Sequence, residues 1–289
     1  MLSIIISSYQ PHYYIALEKN IAETIGIPYE IIKIDNPGIM GICEAYNRGA
    51  EKAQYDFLLF LHEDVLFETK DWGRILINVL NTENIGCIGI AGADYIPEVP
   101  IGWWMIKNHC YSHITHANLI NQKVHKFTFS SNSGLKKVNF IDGVFIACPK
   151  KNWLSIKFDE RLKGYHAYDI SFSLHTNVYF ENYITNLISM KHFSQGKPSK
   201  EWLESLIQNR LNNRTHYKQD QIDTELEFEM FTEFSRQLWH LKYSKSEQIS
   251  LLIAFLNIKK LGFSNALKAL KKIIAILFTR RGKQVQLIK

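Results

Sequence analysis

The chain has four cysteines, Cys43, Cys87, Cys110 and Cys148, and no two of them form a CxxC pair. That scarcity excludes a zinc knuckle and a disulfide-dense scaffold, and it fits a reducing compartment. A basic leader is also missing. Met1-Leu2-Ser3 runs straight into an apolar stretch at Ile4–Ile6 that is too short for a secretory signal, so a cytoplasmic location is expected. The C-terminal apolar runs are broken by Lys259-Lys260 and Lys271-Lys272, which argues against a membrane-spanning helix. Acid is absent from residues 248–289, which hold nine Lys or Arg and no Asp or Glu. The net charge of +6 therefore belongs to the tail, because the first 247 residues carry 25 basic against 28 acidic groups. A polyanionic partner is expected to meet the tail and not the body.

What is present alternates in type. Leu2–Ser7 reads as a buried strand, residues 13–25 as a helix stopped by Gly26-Ile27-Pro28, and Tyr29–Ile34 as a second strand ending in the turn Asp35-Asn36-Pro37-Gly38. A helix from about Ile42 to Gln54 comes next, then a strand at Phe57–Leu61, a helix at Trp72–Leu80 and a strand at Ile85–Ala91. Near-continuous apolar strands alternating with helices predict an α/β fold with a mostly parallel sheet covered on both faces. Farther on, residues 138–147 and 183–190 read as strands, the second delivering Lys191-His192, and everything beyond Ser199 reads as helical. The expected division is a catalytic domain at 1–200 and a helical extension at 201–289.

In such sheets ligands sit beyond the carboxyl ends of the strands. Three ends carry polar groups, Ser7-Ser8-Tyr9, Asp35-Asn36 and His62-Glu63-Asp64, and they are expected to converge on one crevice. A carboxylate following five apolar residues is costly to bury alone, so Asp64 is a candidate divalent-metal ligand, although such a residue can also cap a helix. Oxygen ligands suit Mg2+ or Mn2+, and a second ligand at His192 would tilt the choice toward Mn2+. Between residues 94 and 137 periodicity is lost and Trp103, Trp104, His109, His113 and His116 cluster, as in a binding loop. Trp103 and Trp104 are candidates for stacking on a sugar or lining an acceptor groove, with one of the pair expected in the core.

The series Ile4–Gln10, Ile34-Asp35-Asn36, Gly41 with Asn47-Arg48-Gly49-Ala50, and Phe60-Leu61-His62-Glu63-Asp64-Val65 resembles family 2 glycosyltransferases of the GT-A fold, over roughly residues 1 to 200. The resemblance implies that Ser7, Tyr9, Asp35, Asn36 and Asn47 border a nucleotide-sugar. It implies that Asp64 is the last acidic residue of a DxD motif that holds metal and diphosphate, with Glu63 a bystander. His62 departs from the pattern, standing where the first aspartate usually lies, while His192 stands where related enzymes place a histidine ligand. Asp142-Gly143 resembles the acceptor-side strand. Gly164–Asp169 resembles the segment ending in the catalytic base, with Tyr168-Asp169 in place of the usual Glu-Asp. The base role then goes to Asp169, since inverting transfer needs a group that removes the acceptor hydroxyl proton; His166 competes for it.

The family implies an inverting transferase that moves a sugar from a nucleoside-diphosphate donor to a glycan or lipid-linked hydroxyl in cell-surface polysaccharide synthesis. An inactive nucleotide- or sugar-binding module of the same fold is one rival. A sugar-phosphate nucleotidyltransferase is a weaker one, since no glycine-rich phosphate loop comes after the first strand. In the tail, Phe263, Leu267, Leu270, Ile274 and Leu277 recur at helical spacing beside Lys268, Lys271 and Lys272. This basic amphipathic helix is expected either to dock its stripe on the protein or to lie on an anionic membrane as a peripheral anchor.

Overall fold

A computed structural model of the chain describes residues 1–116, 129, 131–193, 196, 198–217, 219 and 221–278. These form two units, one of Met1–Tyr95 with Lys107–Lys197 and the other of Ile96–Ile106 with Pro198–Lys289. The short segment 96–106, which leaves the first unit and returns to it, belongs to the second.

The first unit begins with β1 (Leu2–Ser8), α1 (Pro11–Thr24), β2 (Tyr29–Asp35), α2 (Ile42–Lys52), β3 (Phe57–Leu61), β4 (Val65–Phe67), α3 (Trp72–Leu80), β5 (Ile85–Gly89) and β6 (Ala91–Ala93). It continues with β7 (Cys110–Ser112), β8 (Ile114–His116), β9 (Leu135–Val138), β10 (Phe140–Ile141), β11 (Phe145–Pro149), α4 (Lys150–Ile156), α5 (Tyr168–Thr176), β12 (Glu181–Thr185) and β13 (Met190–His192). A seven-stranded sheet in the order β2-β1-β3-β11-β5-β12-β9 forms its centre. Strands β2, β1, β3, β5 and β12 run one way, and β11 and β9 run against them. The mostly parallel sheet expected from the strand composition is present. Ile4, Ile5 and Ile6 are fully buried in β1 because it pairs on both sides, whereas edge strand β2 is only partly covered.

The parallel register sets the strand ends. Ser8 lies opposite Asp35, and Ile6 opposite Leu61, so residues 7–10, 35–38 and 62–64 leave the sheet at one edge. Under that edge an aromatic core joins Tyr46, Phe60, Phe158 and Phe172, with Phe158 and Phe172 stacked at 4.2 Å between centroids.

Residues 183–190 do not form one strand. The chain leaves β12 at Thr185, where the Asn186 N–H donates to the Gly134 carbonyl and the Leu187 N–H to the Thr185 hydroxyl. This turn breaks the ladder and frees Met190–His192 to join a second, three-stranded sheet, β4-β13-β8. The long irregular segment also holds more order than periodicity suggested, with β7 and β8 inside it; residues 117–128 and 130 of that expected binding loop lie outside the described residues.

In the second unit α6 (Lys200–Asn212), α7 (Thr224–His240), α8 (Lys245–Ala254) and α9 (Ile258–Phe278) confirm the helical reading. Ser199, Asp223 and Ser244 cap the first three, Ser244 through a reciprocal capping box with Glu247. Gly262, with φ 70, breaks α9 near its start. A side chain there would be strained, so glycine is what permits the bend. No helix among the described residues is long and apolar enough to cross a membrane.

Candidate active site

A cavity of about 460 Å³ opens at the carboxyl edge of β1, β2 and β3, and its walls include Ser7, Tyr9, Asn36, His62, Asp64 and Tyr168. Two buried polar residues hold its rim. The Asn36 carboxamide donates to the Ser7 hydroxyl (3.2 Å) and the Met40 carbonyl (3.0 Å) and accepts from the N–H groups of Ile39 and Met40. Glu63 accepts from the backbone N–H groups of Tyr9 (3.1 Å) and Gln10 (2.9 Å), next to the start of α1. Glu63 is therefore not the bystander expected from the motif: it ties the loop after β1 to the loop after β3, and only 4% of it is exposed. Tyr9 is left projecting, 65% exposed.

The pairing of β13 with β4 sets His192 opposite Val65, and the Phe193 N–H donates to the Asp64 carbonyl at 3.0 Å. His192 Nε2 thereby reaches 3.4 Å from Asp64 Oδ1, while His62 Nδ1 lies 3.9 Å from the same oxygen. The three ligand atoms all fall within 4.8 Å of one another, as a shared ion would require. Two imidazoles and one carboxylate form a donor set of borderline character, a better match to Mn2+ than to Mg2+. Burial holds the His62 pKa below the ordinary histidine range despite the opposing pull of Asp64, which keeps the ring in its ligand-competent neutral form. Its other nitrogen, Nε2, is 2.8 Å from the Tyr168 hydroxyl, and burial pushes that phenol well above its usual range. With the Nε2–H donating to the Tyr168 oxygen, the ring orientation is fixed and the Nδ1 lone pair faces Asp64.

Tyr168 opens α5, and the residue before it, Ala167, adopts a left-handed turn with φ 63. An alanine held in that region stores strain, and here the strained turn delivers two side chains in succession, Tyr168 toward His62 and Asp169 toward Gly143 in the turn before β11. Asp169 accepts from the N–H groups of Gly143 (3.1 Å) and Ile170 (2.9 Å). Its pKa is nevertheless raised from 3.8 to about 7, because burial and the neighbouring Asp142 carboxylate outweigh the backbone donors of Ile170, Gly143 and Asp169 itself. Gly143 passes so close to the Tyr168 ring that any side chain would collide with it.

The remaining expected site residues are distributed unevenly. Ser7, Tyr9, Asn36 and Asp64 line the cavity. Asp35 stands at its edge in an exposed ion pair with Lys33 at 2.7 Å and is not part of the wall. Asn47 is not brought to the cavity. It is buried on the inner face of α2, where it donates to the Phe158 carbonyl and Glu160 and accepts from the Trp153 indole and the Phe158 N–H, leaving it nothing to offer a ligand. Trp103 and Trp104 fall in the second unit, Trp103 buried and Trp104 against Trp202 at 5.5 Å between centroids; neither lines the cavity, and nor does His166. Asp142 accepts from the Val144 N–H and acts on Asp169 through its charge.

Sequence reasoning passed over Gln10, Tyr46, Tyr165 and Tyr168, all in the wall. For Tyr168 a signal existed: it stands where the resemblance has glutamate, His62 stands where it has aspartate, and the two departures make one hydrogen bond.

This sheet, its carboxyl-edge cavity and the acidic turn after β3 are those of the GT-A fold. The chain belongs to the Glycosyltransferase like family, which matches residues 3–217. Among solved structures it is similar to GalNAc-T7 with UDP, GalNAc and Mn2+, at TM-score 0.54 and 10% identity, covering 88% of this chain and 55% of that one. It thus spans little more than half of that relative's length. It is also similar to TarS residues 1–349 from S. aureus, at TM-score 0.48 and 13% identity, covering 95% of this chain and 82% of that one. No curated protein matches the chain.

Proposed function

We propose that the protein transfers a sugar from a nucleoside-diphosphate donor to a hydroxyl acceptor with inversion, in cytoplasmic synthesis of a cell-surface glycan on a glycan or lipid-linked acceptor. The observation that carries this reading is the hydrogen bond between His62 and Tyr168, the residue before the proposed base Asp169, which ties that base's helix to the His62-Asp64-His192 cluster. The UDP and Mn2+ held by the structurally similar GalNAc-T7 support a donor and an ion of this type. Four free, buried cysteines support the cytoplasmic setting.

Ser7, Tyr9 and Asn36 border the nucleotide, and Asp35 meets the base from the edge. His62, Asp64 and His192 would hold Mn2+ or Mg2+, which supplies positive charge against the diphosphate as it departs. Asp169, ionised above a pH of about 7, accepts the acceptor hydroxyl proton while that oxygen attacks the anomeric carbon from the face opposite the diphosphate. Gly143, donating to Asp169, keeps the carboxylate oriented. Calorimetric titration with UDP-, GDP- and dTDP-sugars, with and without Mn2+, tests the donor: one of them is expected to bind, and more tightly with the ion. Failure of all three ends this reading. Release of nucleoside diphosphate, lost in Asp169→Asn while binding persists, separates a transferase from a binding module; pyrophosphate release would instead indicate a nucleotidyltransferase.

A further inference from the structure

The part of α9 after Gly262 carries two apolar faces. Ala266, Ala269, Ile273 and Ile276, with Asn265, form the buried one, and α7 and α8 hold it: Asn265 donates to the Thr224 carbonyl and to Glu225, and Lys245 donates to the Leu277 carbonyl. The other face is the stripe that the sequence spacing picks out. Phe263, Leu267, Leu270, Ile274, Leu277 and Phe278 fall within an arc of about 100° at 3.6 residues per turn. They are exposed by 77%, 44%, 42%, 45%, 55% and 83%. Of the two fates open to this stripe, docking on the protein is therefore not the one observed among the described residues. A continuous apolar face of this extent on a helix marks a surface that another phase or molecule covers.

The charges bordering the stripe decide what covers it. Lys271 lies directly beside the exposed arc, and Lys268 lies further round, its ammonium bonded to Asn265 and set over the Phe228 ring. Helix α9 contains five lysines and no acidic residue. Two copies meeting stripe to stripe would bring their Lys271 side chains together with no carboxylate on either helix to offset them, whereas anionic headgroups would neutralise them.

We infer that the exposed face of α9 is an interfacial membrane anchor, with Phe263, Leu267, Leu270, Ile274, Leu277 and Phe278 seated at the boundary between headgroups and acyl chains and Lys271 at the phosphates of anionic lipid. The helix lies in the membrane plane, since it is not apolar enough to span. The inference stands apart from the donor chemistry, as the stripe lies outside the unit that holds the cavity.

Flotation of the full chain with vesicles tests it. The chain is expected to rise with vesicles of equal parts phosphatidylglycerol and phosphatidylcholine and to stay behind with phosphatidylcholine alone. The variant Leu267→Asn, Leu270→Asn, Ile274→Asn is expected to lose flotation while keeping the wild-type thermal midpoint and donor binding, because all three side chains already face outward. Lys271→Glu is expected to weaken binding about fivefold or more. Equal flotation of wild type and the triple variant overturns the inference. So does the absence of flotation combined with a wild-type dimer that the triple variant dissolves, which would assign the stripe to a second copy. Failure of every nucleotide-sugar to bind while flotation persists would remove the enzymatic reading and leave the anchor.

Discussion

Two acidic clusters lie close together in the chain's fold and are furnished in opposite ways. Asp64 is flanked by two imidazoles, at 3.4 and 3.9 Å from one of its oxygens. Asp169 has another carboxylate, Asp142, as its charged neighbour, and only backbone N–H groups as donors. Both aspartates are partly buried, so what surrounds them decides what they are for. Two imidazoles beside the Asp64 carboxylate offer three ligand atoms that one ion could share. Burial first, and the Asp142 carboxylate second, raise the Asp169 pKa to about 7, the range in which a general base would be most effective. In the proposed reaction the same residue type holds an ion past a strand end, as Asp64, and accepts a proton at the start of α5, as Asp169.

The sharpest way to break this contrast is Asp169→Asn, expected to lower kcat by about 10²–10⁴-fold with donor affinity retained; a variant that loses donor affinity as well would show that the two clusters are not separate. Asp64→Asn should reverse the pattern, abolishing ion-dependent donor binding as measured by titration with and without Mn2+. Tyr168→Phe leaves every ligand atom in place but frees the His62 ring, and it is expected to weaken Mn2+ binding by about 10–100-fold. Unchanged affinity would mean that the His62–Tyr168 bond only packs the core.

The pH dependence is smaller and has a sign. Transfer should rise about tenfold per pH unit below about 7 and level off above it, because protonated Asp169 cannot accept a proton. Stability moves the other way. The folded state keeps the Asp169 proton up to about 7 while the unfolded chain releases it near 3.8, so the folded chain loses stability as pH rises through that interval. Thermal midpoints across the range should show this decline in the wild type, and a shallower one in Asp169→Asn.

Much of this was legible in the sequence. Strand ends and their polar residues could be located from apolar runs, since a parallel register aligns the residues just past each run, and Ser7, Asn36, His62 and Asp64 meet accordingly. The hidden part depended on contacts across long separations. Asn47 looked like a donor-binding residue in its motif, but its partners Phe158 and Glu160 lie 111 and 113 positions away and consume it. Glu63 looked idle because the N–H groups it receives sit 53 and 54 positions earlier. In α9, hydrophobic periodicity located a stripe without revealing whether that stripe faces in or out. With two apolar arcs on one helix, periodicity alone cannot choose between them, and the more conspicuous one proved to be the uncovered one.

The last and smallest expected effect concerns Asn36. Three of its four hydrogen bonds close residues 36–40 into a turn and the fourth ties that turn to Ser7 before any ligand arrives. Asn36→Ala is expected to weaken donor binding by about 1 kcal/mol or more through loss of that crosslink, measured against an unchanged Mn2+ affinity. Stiffness has a kinetic meaning as well. A wall that is already set loses little motional freedom when a nucleotide settles against it, so entry on this side should resemble docking more than folding, with an association rate that stays proportional to donor concentration and does not saturate behind a loop rearrangement.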